Sequence, residues 1–206
     1  MLGRPSTVAP LLESLARSTD DAVALFIVSE TDHDVVAATE HVRRLIVPPR
    51  GRGDYAAKIN AGVRASTEPL IFTGACDLAF RPGWLAVARR RLTPRLQVIG
   101  TNDLCNRRTM TGPHSTHSLM TRDYAELPTI DGLPGPLSEV WLHEYVDDEF
   151  VGTAIKRKAY VHEPRAVVEH LHPSAGKAAW DESYRAQGDR MRADRMLFHQ
   201  RRRLWR

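Results

Sequence analysis

The sequence predicts an α/β domain: a mixed, mostly parallel sheet with helices on both faces, followed by a helical C-terminal tail. Three observations carry this. Short apolar runs at 22–29, 45–47, 70–72 and 97–100 read as strands buried on both faces. Segments of helical pattern alternate with them through the first hundred residues, as parallel strands joined by crossovers require. Each run also ends in polar or charged residues: 29–32, 50–54, 73–77 and 101–103. Ligands in such sheets sit beyond the carboxyl ends of the strands.

Residues 8–17 read as a helix, with Leu11, Leu12 and Leu15 on one face and Pro10 in the first turn. Residues 34–44 read as a second. Pro48 and Pro49 stop the second strand, and a loop of Arg50, Gly51, Arg52 and Gly53 follows. Asp54 caps a helix through 65 that carries Ala56, Ile59, Asn60 and Val63 on one side. The helix at 82–92 has Pro82 at its start and Arg89, Arg90 and Arg91 where cations suit the dipole. The second half is less regular. Residues 102–119 hold few apolar side chains, 130–136 form a loop, and 140–158 contain a helix opened by Asp147, Asp148 and Glu149. Residues 166–173 read as a strand ending at Pro173, and 180–205 as a charged helical tail.

The chain of 206 residues is 42% hydrophobic and 26% charged, which excludes wholesale disorder. Its length suits one domain, or one domain with an appendage. No apolar run approaches the ~20 residues of a membrane span. The first five residues lead straight into polar sequence, unlike a signal peptide. Cys76 and Cys105 fit neither a disulfide framework nor a cysteine zinc site, so the expectation is free thiols in a reducing cytoplasm. The excess positive charge sits in the tail, where eight arginines face two aspartates between Arg185 and Arg206. Such a face is usually solvated, and with only Phe198 and Trp205 interleaved, nucleic-acid binding is not expected.

Several residue types suggest chemistry. Asp77 follows a buried strand on a loop made flexible by Gly74, a place for a carboxylate that holds Mg²⁺ or Mn²⁺, or equally for a turn or helix-capping aspartate. His170 and His172 share one face of a strand, where they would ligate a metal or pack. Asp147, Asp148 and Glu149 offer a general base, adjacent carboxylates raising one another's pKa, or simply an acidic helix start. His114, His117 and the His143–Glu144 pair add titratable groups. No phosphate-loop, dinucleotide, His-Glu-x-x-His or Gly-x-Ser-x-Gly motif occurs.

Taken in order, several segments resemble the inverting nucleotide-sugar glycosyltransferases of the GT-A fold, in the large family 2 group. They are Gly3-Arg4-Pro5, Gly51-Arg52-Gly53-Asp54-Tyr55-Ala56-Ala57-Lys58-Ile59-Asn60-Ala61-Gly62, Phe72-Thr73-Gly74-Ala75-Cys76-Asp77, Pro82-Gly83-Trp84, Val146-Asp147-Asp148-Glu149-Phe150 and Val168-Glu169-His170-Leu171-His172-Pro173. The likeness is to a small subgroup common in actinobacteria and their phages. It covers nearly the whole chain, as one domain with a nucleotide-sugar half (1–103), an acceptor half (104–175) and a basic tail (176–206).

The resemblance implies that Asp77 is the last acidic residue of an Asp-x-Asp-type motif, holding Mn²⁺ or Mg²⁺ on the donor pyrophosphate, with His170 or His172 as the late metal ligand. Asp147 corresponds to the aspartate that deprotonates the acceptor hydroxyl, with Asp148 the alternative. Ser29 and Asp32 fall where the family contacts the nucleoside, and Lys58 and Asn60 in its donor-binding helix. Arg4, Asp54 and Gly74 belong to the same donor-side segments. His114, His117 and Glu144 fall on the side of an unknown glycan or protein acceptor. Two departures stand out: Ala75 and Cys76 replace acidic residues before Asp77, and Val146 replaces a glutamate. The family's first strand precedes the Gly-Arg-Pro turn, where this chain has only Met1 and Leu2. The expectation is that Met1 stands at an internal position of a longer natural chain. The alternative function is an inactive or truncated relative that binds a nucleotide sugar or glycan without turnover.

Overall fold

The computed structural model describes residues 4–19 and 21–206. The expected end of a first strand, at Met1–Gly3, lies outside them. After a 3-10 turn at Pro5–Thr7 comes α1 (Val8–Ser18), which buries Val8, Leu11 and Leu15 along one stripe. The strand β1 (Phe26–Ser29) is buried throughout, as its unbroken apolar run requires. Asp32 caps α2 (His33–Ala38) by accepting the Val35 N–H, and β2 (Arg44–Val47) pairs parallel to β1. Next come α3 (Asp54–Arg64), β3 (Leu70–Phe72), β4 (Leu78–Phe80), α4 (Trp84–Arg89) and β5 (Val98–Asn102). The second half holds α5 (Arg107–Thr111), β6 (Ser118–Thr121), α6 (Arg122–Ala125), α7 (Val146–Lys156), β7 (Tyr160–His170), α8 (Glu182–Arg185) and α9 (Gln187–Arg201).

The main sheet has five strands in the order β3-β6-β5-β7-β4. Only β5 and β7 pair parallel within it; β3–β6, β5–β6 and β4–β7 are antiparallel. The expectation of a mostly parallel sheet is therefore corrected to a mixed one. The cause is two short strands, β4 and β6, whose three or four residues carry too little periodicity to mark them in the sequence. Among the described residues, β1 and β2 form a separate two-stranded sheet. The expected helices at 34–44 and 82–92 are real but shorter.

Helices do cover both faces of the main sheet. Side chains alternate along a strand, so Val98 and Met120 enter a core with Trp141, Phe150 and Trp205, while Ile99 and Leu119 enter another with Leu78, Trp84 and Val168. Val98, Ile99 and Val168 are wholly buried, each contributing about 1.5–3 kcal/mol. This double-sided burial fixes the strand ends on which the site is built.

Candidate active site

Strand register brings the first cluster together. Leu78 lies opposite His170 across β4–β7, which sets the preceding Asp77 beside that histidine. The Leu171 N–H donates to the Asp77 carbonyl at 2.8 Å, and the His170 N–H to the Asp103 carbonyl at 2.9 Å. The Asp77 carboxylate is nearly buried. Its Oδ2 accepts from Arg4 Nη1 at 3.0 Å and from the Tyr184 hydroxyl at 2.6 Å, and lies 3.3 Å from His170 Nε2. Burial pushes this carboxyl up, but His170 and Tyr184 outweigh it and hold it well below the usual range. Arg4 also pairs with Asp181 and lies over the Tyr184 ring, 3.8 Å from its centre.

His117 stands behind this cluster. Its Nδ1 is 2.7 Å from the Thr73 carbonyl, and its Nε2 is buried without a partner among the described residues. Burial first, then the neighbouring His170, lower its pKa to about 4. His172 lies one residue beyond Leu171, with its Nδ1 accepting the Ser174 N–H at 3.1 Å.

The second cluster opens α7. Tyr145 takes a left-handed conformation (φ 63°) and swings the chain into the helix. Asp147 and Asp148 then occupy the first turn, where the helix dipole favours carboxylates. His114 Nε2 lies 3.0 Å from Asp147 Oδ2, and Arg108 donates to Asp148 at 2.7 Å. Burial raises both carboxyls; His114 overrides it at Asp147, whose pKa is lowered. At Asp148, burial and the Asp147 charge prevail over Arg108, and the pKa is raised. Asp147 is thus the more acidic member of the pair.

A cavity of about 1120 Å³ joins the two clusters and extends between the two sheets. Tyr55, on α3, lines it with its hydroxyl 3.5 Å from the Gly74 carbonyl. Burial, then the charges of Asp147 and Asp77, raise its phenol pKa, so the ring stands between the aspartates as a neutral donor. Asp54 and Lys58 also line the cavity, paired at 2.7 Å one helical turn apart. So do Arg4, Gly74, His172 and Glu144, whose carboxyl is raised by burial against the opposing Arg190.

Three residues expected at the site are elsewhere. Ser29 is buried at the end of β1 and Asp32 caps α2; neither lines the cavity. Asn60 is buried and clamps the backbone of Leu137, donating to its carbonyl at 2.8 Å and accepting its N–H at 3.2 Å. Its position on one face of α3 reflects packing. His117 sits with Asp77 rather than with His114.

No sequence signal singles out Tyr184, Arg108 or Tyr55: Tyr55 follows Asp54 at the start of α3, and Tyr184 sits 107 residues from Asp77.

No family model and no curated protein matches this chain. Among solved structures it is similar to the mannosyltransferase PcManGT from Pyrobaculum calidifontis, in complex with GDP-Man and Mn²⁺. The TM-score is 0.61 at 17% identity, over 94% of this chain and 59% of that one. The chain has a glycosyltransferase-like fold. It spans about three fifths of the length of that structure.

Within this glycosyltransferase-like fold the donor set suits a divalent cation. Asp77 and His170 present oxygen and nitrogen together, and the unpartnered Nε2 of His117 is a further buried nitrogen beside them. A cation there would have to compete with Arg4 for the same carboxylate. The ligand atoms of His114, Asp147 and Asp148 also lie within 4.8 Å of one another. No described helix is long and apolar enough to cross a membrane.

Proposed function

We propose that this protein is an inverting, metal-dependent glycosyltransferase of the GT-A type, moving a sugar from a UDP- or GDP-sugar to a glycan or protein hydroxyl. The observation that carries the reading is one cavity, in a glycosyltransferase-like fold, that joins Asp77–His170 to the Asp147–His114 pair. Residues 1–103 supply the donor half and 104–175 the acceptor half.

In this reading Asp77 with His170, and His172 next to them, would hold Mn²⁺ or Mg²⁺. The metal, when bound, offsets charge developing on the departing nucleoside diphosphate. Lys58 and Arg4 face the same anion. Asp147 accepts the acceptor hydroxyl proton as that oxygen attacks the anomeric carbon. His114 keeps the Asp147 carboxylate charged and oriented until then. Tyr55 offers a neutral hydrogen-bond donor between the two ends.

A second reading, a sugar-nucleotide or glycan binder without turnover, draws on Arg4 and Tyr184 occupying the Asp77 carboxylate.

The test is thermal stability with UDP, GDP and their common sugars, with and without Mn²⁺, on this chain and on Asp77→Ala. A metal-dependent rise for one nucleotide, abolished in Asp77→Ala, is expected. No rise with any of them sinks the donor site. Nucleotide release that is lost in Asp147→Asn supports the catalytic reading, release that persists there removes Asp147 as the base, and no release from the native chain leaves the binder.

A further inference from the structure

The C-terminal helix carries a stripe that follows the entry into α7 residue by residue. Arg190 pairs with Glu144 at 3.2 Å. One turn on, the wholly buried Asp194 accepts three consecutive backbone N–H groups, from Leu142 at 2.9 Å, His143 at 3.0 Å and Glu144 at 3.1 Å. Arg52 Nη1, 3.0 Å away, balances its charge. A further turn on, Phe198 stacks on Tyr145 with ring centres 4.5 Å apart. Arg201 then grips the buried Glu149 through two bonds of 2.7 Å. Finally Trp205 fills the space beside Gly152 on α7, where a Cβ would collide with its indole.

Positions 190, 194, 198 and 201 are spaced by three or four residues and form one face of α9, and Trp205 follows just beyond the 3-10 turn at Arg202–Leu204. Their targets run in the same direction, from residue 142 to residue 152. Between the targets lies the left-handed Tyr145, then Asp147 and Asp148. A left-handed non-glycine residue is disfavoured on its own and persists where its surroundings hold it. Three N–H groups converging on a buried carboxylate, plus a stacked ring, supply that hold.

We propose that Asp194 is a positioning residue, and that the C-terminal helix acts as a clasp which sets the Asp147 carboxylate in the cavity. The proposal rests on the reading of Asp147 as the base. Asp194 touches no reacting atom; it acts through the backbone of 142–144. A misplacement of about 1 Å at a reacting group can cost roughly 100-fold in rate.

The experiment compares the native chain with Asp194→Asn, Asp194→Ala, Phe198→Leu and Asp147→Asn. Hydrogen exchange is read first, independently of activity. Amides of 142–148 should lose protection in the Asp194 and Phe198 variants while β5 and β7 keep theirs. Unchanged protection overturns the clasp. GDP release from GDP-mannose with Mn²⁺ is read second. Asp194→Ala should lower kcat by about 10- to 100-fold with KM for GDP-mannose nearly unchanged. Asp194→Asn, which keeps one acceptor oxygen, should lose less.

A loss confined to KM, or an equal loss in both Asp194 variants, overturns the positioning role. If Asp147→Asn turns over normally, the base reading fails while the exchange result still judges the clasp. If every Asp194 and Phe198 variant fails to fold, the helix is a structural strut and the proposal falls.

Discussion

At the scale of single residues, His117 is the clearest case of an environment overriding an intrinsic property. Its folded pKa is lowered to about 4 by burial and by His170, while an unfolded histidine titrates near ~6.5. Between those values the unfolded chain binds a proton that the folded chain refuses. Stability therefore falls as pH drops from about 6.5 to about 4, by about 3 kcal/mol in total. Urea unfolding of the metal-free chain across that window should show the slope, and His117→Gln should flatten it. An unaltered slope in His117→Gln assigns the titration to another group. Gly53 is a second such position. It precedes α3 with φ +76°, and a Cβ there would strike the Glu139 carbonyl. Gly53→Ala should cost more than about 1 kcal/mol, read as a lower urea midpoint.

The elements of the second half depend on polar contacts more than on apolar stripes. Glu149 on α7 is buried, and Arg201 on α9 is its partner at 2.7 Å. Removing one member of a buried pair leaves an uncompensated charge, so Arg201→Ala should destabilise by about 3–5 kcal/mol. Arg192→Ala breaks a pair whose side chains are both 80% exposed. It should change stability by less than about 0.5 kcal/mol. Equal effects from the two would refute the distinction. Gly152→Ala tests the packing of Trp205 on the same helix. The added methyl meets the Trp205 ring, and overpacking of this kind costs about 1–3 kcal/mol.

For the whole molecule, the cavity couples ligand binding to stability. A nucleotide sugar at 100 times its dissociation constant adds about 2.7 kcal/mol, a rise of about 5–10 °C for a chain of this size. In the proposed reading that rise needs both Mn²⁺ and Asp77. A rise that survives Asp77→Ala would move the donor away from the β3–β4 corner.

The strands β1, β2, β3 and β5, the helices α1 and α3, and the acidic opening of α7 are legible in the sequence, because continuous apolar runs and helical stripes are local signals. Asp77 and Asp147 also stand out there, each at the mouth of an element. Tertiary structure alone decided that β4 and β6 complete a mixed sheet, since strand neighbours follow from packing rather than from spacing. It alone placed Arg4, Tyr184 and His170 around one carboxylate, and withdrew Ser29, Asp32 and Asn60 from the cavity. The tail shows the limit most plainly. Its stripe of Arg190, Asp194, Phe198, Arg201 and Trp205 is mostly polar, so no apolar period marks it. Arg190, Asp194 and Arg201 look solvated in sequence, yet they are buried or paired because their partners lie about fifty residues away on α7 and the loop before it.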